Sequence, residues 1–213
     1  GAQFFTVRDL RMEELLSLWQ HENAVVPWYD HIPGRADVPT GQRYRGTEGM
    51  TSPSKVLAKE FEVETSFFLQ KIQRREKTWT LYEKDDSQRT LEADHLVITI
   101  PSVQLLELFQ RSDYELDDDS MNRLRLIRHT RCLAVLGIMD RSSSLKHPGT
   151  LTHPVPEIDW ISDNQVKGIS EEPSCTIHAS DEYSQKFWDA PDSERIPPLL
   201  SVAEEHLHVK ITS

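Results

Sequence analysis

The segment WISDNQVKGIS gathers an aromatic ring, an acid, an amide and a base (Trp160, Asp163, Asn164 and Lys167) where an apolar run gives way to a turn. An Asp or Asn at such a point can fold back on its own backbone as an Asx turn. The same side chains can instead offer donors and acceptors to a planar ligand. The spacing fits both. His178, inside the apolar SCTIHAS, poses a similar choice between a hydrogen-bonded core residue and a group beside a substrate pocket.

Other reactive residues are less suggestive. The chain has nine histidines, and His206 and His208 are the closest pair. Residues two apart do not share a helix face. No cysteine or carboxylate cluster with ligand spacing accompanies them, so no metal site is expected. The acidic run Asp117-Asp118-Asp119 reads as a partner for the dipole of the helix that follows. Gly46-x-x-Gly49 reads as a turn. The sequence holds no G-x-G-x-x-G, P-loop, G-x-S-x-G or H-E-x-x-H.

The elements that must position these residues follow from periodicity. Asp9 to about His21 carries an apolar stripe at helical spacing, with Leu10, Leu15, Leu16, Leu18 and Trp19. Pro27 to Gly46, rich in Pro, Gly and charge, reads as loop. Thr51-Ser52-Pro53 starts a helix that runs to about Phe61. EVETSFFLQKIQRR, TWTLYEK and ADHLVITIP read as strands. The nearly continuous apolar run Leu96 to Ile100 predicts a strand buried on both faces. Pro101 and Ser102 end it, and VQLLELF begins a helix. A strand, a break and a helix suggest an α/β layer with a ligand near the carboxyl end of the strand. Further on, DDDSMNRLRLI reads as a helix and RCLAVLGIMD, IDWISD and SCTIHAS as strands. SDEYSQKFW and SERIPPLLSVAEEHL read as helical, the second interrupted by Pro197-Pro198.

Composition narrows the class. Of 213 residues, 37% are hydrophobic and 28% charged, as in ordinary globular proteins. A net charge of −11 opposes a nucleic-acid partner. No run approaches the roughly 20 apolar residues of a membrane helix, so no membrane role is expected. Cys132 and Cys175 are two scattered residues rather than a disulfide framework, and they read as buried, reduced thiols of a cytoplasmic protein.

Taken in order, GAQFFTVRD, RYRGTEGM before a helix, ADHLVITIPSVQLLELF, CLAVLGIMD and WISDNQVKGIS resemble the renalase-like flavoproteins of the flavin-containing amine oxidase superfamily. GAQFFT and DN-x-x-KGIS are the most specific parts, and the resemblance runs from Gly1 to about Leu207. It implies a mixed α+β and α/β fold, in which a partial Rossmann-like FAD-domain segment is interleaved with an antiparallel-sheet substrate domain. On this basis residues 1–8 and 45–109 belong to the FAD domain, residues 9–44 and 110–208 to the substrate domain, and residues 209–213 form a tail.

The resemblance also implies a site. Gly1, Ala2 and Gln3 would lie beside the isoalloxazine ring. The backbone of Leu69 would meet the adenine end, and Thr99, Ile100 and Pro101 would lie near the ribityl chain. Trp160, Asn164 and His178 would face the substrate. The implied reaction is hydride transfer from a reduced nicotinamide-type or amine substrate to FAD, with reoxidation by oxygen. The resemblance names no proton-transfer residue. The chain begins on the aromatic GAQFF, where most domains fray. It is therefore expected to be a piece of a longer oxidoreductase whose Gly-rich cofactor grip lies outside it, and to be inactive alone. Its exposed strand edges are expected to favour self-association. The alternative is a non-catalytic binding module that kept the scaffold without the cofactor grip.

Overall fold

A computed structural model describes residues 2–32, 40–84 and 89–212; Gly1, expected at the cofactor, lies outside the described residues. The chain divides into two compact units, residues 1–62 with 130–213, and residues 63–129.

The larger unit begins with helix α1 (Leu10–His21), capped by the Asp9 carboxylate, which accepts from the Arg11 backbone N–H at 2.9 Å. The stretch expected as loop contains two strands, β1 (Val25–Tyr29) and β2 (Arg43–Gly46), paired antiparallel. Pro27 and Tyr44 are partners, and the register shifts just after Pro27. Phe5 bridges Tyr44 on the other side of β2, whereas β1 pairs with no further strand among the described residues, and such an edge is where a proline is tolerated. Helix α2 (Ser52–Ala58) is shorter than expected. Its continuation to Phe61 is wound more tightly, because Lys59, Glu60 and Phe61 each donate three residues back rather than four.

The smaller unit is an antiparallel meander of β3 (Leu69–Arg75), β4 (Thr78–Glu83) and β5 (Thr90–Ala93), with helices α3 (Ser102–Ser112) and α4 (Asp118–Leu126). Ile72, Leu108 and Phe109 form its buried centre. The Ser112 hydroxyl accepts the buried Ile72 N–H at 2.9 Å, tying α3 to β3. Leu96 to Ile100 is not the doubly buried strand its composition predicts. Leu96 and Ile98 pack inward, whereas Val97 is 86% exposed. Among the described residues no strand pairs with this run, so only its alternate side chains are covered.

The chain then returns to the larger unit with β6 (Ala134–Met139), β7 (Thr150–Val155), β8 (Ile158–Asp163), the short helix α5 (Asn164–Lys167), β9 (Ser174–Ala179), α6 (Asp181–Phe187), α7 (Asp192–Arg195), α8 (Pro197–Leu207) and β10 (Ile211–Thr212). The five strands form one sheet in the order β10-β6-β9-β8-β7. The two prolines expected to interrupt a helix instead open α8, where the missing N–H costs no bond. Residues 209–212, expected as a tail, supply the edge strand β10 beside β6, and Val209 and Ile211 are buried. The core lies against one face of the sheet, where Val135, Ile161 and Ile177 meet Leu199, Ala203 and Leu207 of α8. Cys175 is buried there, but Cys132 is exposed, correcting the expectation of two buried thiols. No helix among the described residues is long and apolar enough to cross a membrane.

Candidate functional site

Strand alternation decides which side chains occupy the second face of the five-stranded sheet. Trp160 pairs with His178 and Ser162 with Thr176 across β8 and β9, so these four project to the face opposite the core. The N-terminal segment crosses this face. Gln3 Oε1 accepts from Ser162 Oγ at 3.2 Å and from Lys167 Nζ at 2.8 Å. Lys167 also donates to the Gln3 backbone oxygen at 2.8 Å, and Gln3 Nε2 lies 3.4 Å from His178 Nε2. With Oε1 engaged by two donors, the amide NH2 is the group presented to His178, which must then accept at Nε2 and carry its proton on Nδ1.

Lys167 is delivered by α5. Asp163, fully buried, accepts from the backbone N–H groups of Gln165 and Val166 and from Ser143 Oγ at 2.6 Å. Its oxygens are thus spent on the turn, which settles its part in the segment as the Asx-type cap. Gly168 closes the helix at φ 78°, a left-handed conformation suited to glycine. Asn164 points back into the sheet, accepting from Thr176 Oγ1 at 3.2 Å.

An aromatic wall closes one side. The Lys167 ammonium lies 4.4 Å from the centre of the Trp28 ring, Trp28 lies 6.1 Å from Trp160, and Phe4 lies 5.8 Å from Trp160. Trp28 donates to the Pro148 carbonyl at 3.1 Å, whereas the buried Trp160 Nε1 has no hydrogen-bond partner among the described residues. Burial, reinforced by the nearby charge of Arg45, brings the Lys167 amine down to about 8. Burial also lowers the His178 pKa, with the Lys167 charge acting in the same direction, which favours the neutral ring. Ala2 and Gln3 line a small cavity of about 70 Å³ together with Arg45, Met50, Lys167 and Thr176.

The smaller unit has a separate groove of about 550 Å³. Leu69, Ile100 and Pro101 line it with Phe67, Phe68 and Leu108, and Gln70, Gln104, Lys84 and Arg111 stand among them. Thr99 is exposed beside the groove and is not one of its walls. The Glu107 carboxylate lines it too; apolar walls with a few amides and charged groups can flank a flat ring, and the size falls within the range of small-molecule sites.

Three of the cofactor-side candidates therefore share the groove, and Gln3 shares the sheet-face cluster with Trp160, Asn164 and His178. Sequence reasoning noted Lys167 but gave it no place in the site, and it passed over Ser162, Thr176 and Trp28. The alternation of Trp160 with Ser162 and of Thr176 with His178 was the available signal for two of these. Trp28 had none, because its segment read as loop.

No family model matches the chain. Solved structures do. A triple mutant of putrescine oxidase with redesigned cofactor binding matches at a TM-score of 0.57 and 15% identity, over 79% of this chain and 37% of that one. A protein named as a protoporphyrinogen oxidase, from Exiguobacterium sp., matches at 0.53 and 16%, over 84% and 40%. Wild-type putrescine oxidase bound to putrescine matches at 0.53 and 15%, over 80% and 37%. The chain thus spans about two-fifths of the length of these structures. At this identity the fold is what is shared: a mixed α+β arrangement with antiparallel sheets, corresponding to part of these oxidases.

Proposed function

We propose that this chain is part of an FAD-dependent oxidoreductase of the amine oxidase superfamily, of renalase-like type. The observation that carries the reading is the cluster on the second face of the five-stranded sheet. Gln3, assigned by resemblance to the flavin side, and Trp160, Asn164 and His178, assigned to the substrate side, come together there around Lys167. The shared fold supports it. So does the groove in the smaller unit, where Leu69, Ile100 and Pro101 would hold the adenine end and the adjoining chain of the cofactor.

FAD, when bound, accepts a hydride from a reduced nicotinamide-type ring or an amine and is reoxidised by oxygen. This chain's residues orient and exclude water. Lys167 and Ser162 hold the Gln3 carboxamide in one orientation. His178 stays neutral through its buried position and presents Nδ1–H as a donor. Phe4, Trp28 and Trp160 form a dry wall beside which a flat substrate can lie. The substrate is a small molecule, and the setting is cytoplasmic, where Cys132 stays reduced.

The test is a visible spectrum of the purified chain, before and after adding FAD and desalting, repeated on the full reading frame. The expected result is a colourless chain and a yellow longer protein that bleaches anaerobically with its reduced substrate. A colourless longer protein would replace this reading with a non-catalytic module. The isolated chain is also expected to self-associate, because Leu136 and Ile138 are 72% and 57% exposed on the second face of the sheet. A monomer in sedimentation would refute that.

A further inference from the structure

Two cations in the larger unit have no counter-charge among the described residues. Lys167 is only 4% exposed, yet the partners of its ammonium are a backbone carbonyl, an amide oxygen and the Trp28 ring, all neutral. The Arg45 guanidinium, half-buried, donates to the carbonyls of Gly46 and Thr47 at 3.1 and 3.2 Å, also neutral. Neither cation has a carboxylate partner among the described residues. Carboxylates are not scarce, with 35 acidic against 24 basic residues. Burying a charge without a partner is costly, and two like charges side by side cost more.

Both cations line the cavity of about 70 Å³. Its walls depend on glycine. A Cβ on Gly46 would fall 1.8 Å from the Gly49 carbonyl oxygen, so the turn that forms one wall admits no side chain there. A Cβ on Gly168 would meet the Arg45 guanidinium at 2.8 Å, so glycine lets the cation approach the end of α5. Donors remain on both groups. Lys167 has three N–H groups, two of them used on Gln3, and Arg45 has five, with only those of one terminal nitrogen used on carbonyls.

The cavity is small, with room for a few waters, which suits a compact anion. We propose that the cavity between Lys167 and Arg45 is a binding site for a small monovalent oxyanion of three or four heavy atoms, of the size of formate or nitrate. The cavity shares Gln3 and Lys167 with the cluster of the proposed function, but anion binding is read without flavin, and the spectrum tests the flavin reading separately.

The experiment uses the full chain, with formate and nitrate each titrated at constant ionic strength against a bulky anion. Two signals are read, the melting temperature and the pH titration of the Lys167 ε-methylene by NMR. The charged or titratable groups facing Lys167 are Arg45 on β2 and, through Gln3, His178 on β9. The expected result is a saturable rise in melting temperature with either anion and an upward move of the Lys167 titration. Lys167→Met and Arg45→Gln should each weaken the apparent affinity by about 10- to 100-fold, the worth of a hydrogen bond to a charged group. If Lys167→Met fails to fold, Arg45→Gln, at the less buried position, carries the test. No saturable response to either anion in the folded wild-type chain overturns the site. An unchanged response in a folded variant overturns it equally, because it marks a general salt effect.

Discussion

The two antiparallel sheets of this protein differ in how they are covered. The five-stranded sheet has α8 and the apolar core on one face and the segment of Gln3, Phe4 and Trp28 across part of the other. Its central strands β8 and β9 are buried almost throughout. In the smaller unit every residue of β4 is half-buried, and α3 packs against the adjacent β3. The doubly covered sheet holds polar side chains in a network, from Ser162 through Gln3 to Lys167. The more lightly covered sheet bears a groove with apolar walls. The lesson is that fixed hydrogen-bond geometry needs enclosure on both sides, whereas an apolar groove needs only a rigid floor.

The largest test of this contrast is Ile177→Ala. Ile177 is fully buried in the core of the larger unit, and its truncation should cost about 2–5 kcal/mol in urea unfolding. Val97→Ala, on the exposed run of the smaller unit, should stay within about 0.5 kcal/mol. Equal losses would break the comparison. Next is Ser112→Ala, which strips the buried Ile72 N–H of its acceptor and should cost about 1–3 kcal/mol, read as faster amide exchange at Ile72 and a lower urea midpoint. Asp163→Ala removes the cap of α5, and loss of a cap is worth about 0.5–2 kcal/mol. Because α5 carries Lys167, this change should also loosen the Gln3 cluster, visible as a shift in the His178 ring signals.

A smaller effect appears only as a slope with pH. The Lys167 amine, held at about 8 against 10.5 for an ordinary lysine, is a base whose folded value is depressed. Between those two values the unfolded chain binds more protons than the folded one, so stability should rise with pH across that window and be flat with respect to this group below it. Lys167→Met should lose the rise, and a wild-type curve without it would place the amine in contact with water. Smallest of all, Arg123→Ala removes an exposed pair with Asp119 on α4 and should change the urea midpoint by no more than about 0.5 kcal/mol of stability.

Local pattern was enough for much of this molecule. IDWISD and SCTIHAS read as strands and form β8 and β9, helical spacing marked α1, and the acidic run read as a dipole partner stands at the start of α4, where Asp117 also caps by accepting the Ser120 N–H. These features depend on neighbours in sequence. Composition misled where tertiary cover decides the outcome. Leu96 to Ile100 has the residues of a buried strand but lacks a paired neighbour among the described residues. Val25–Tyr29 has a proline yet finds a partner in Arg43–Gly46. The site was legible only as residue types. Gln3 and Lys167 are 164 residues apart, and no spacing rule connects them. Their meeting is decided by the crossing of the N-terminal segment over the sheet, where Lys167 is buried near the charge of Arg45 and its own charge becomes costly.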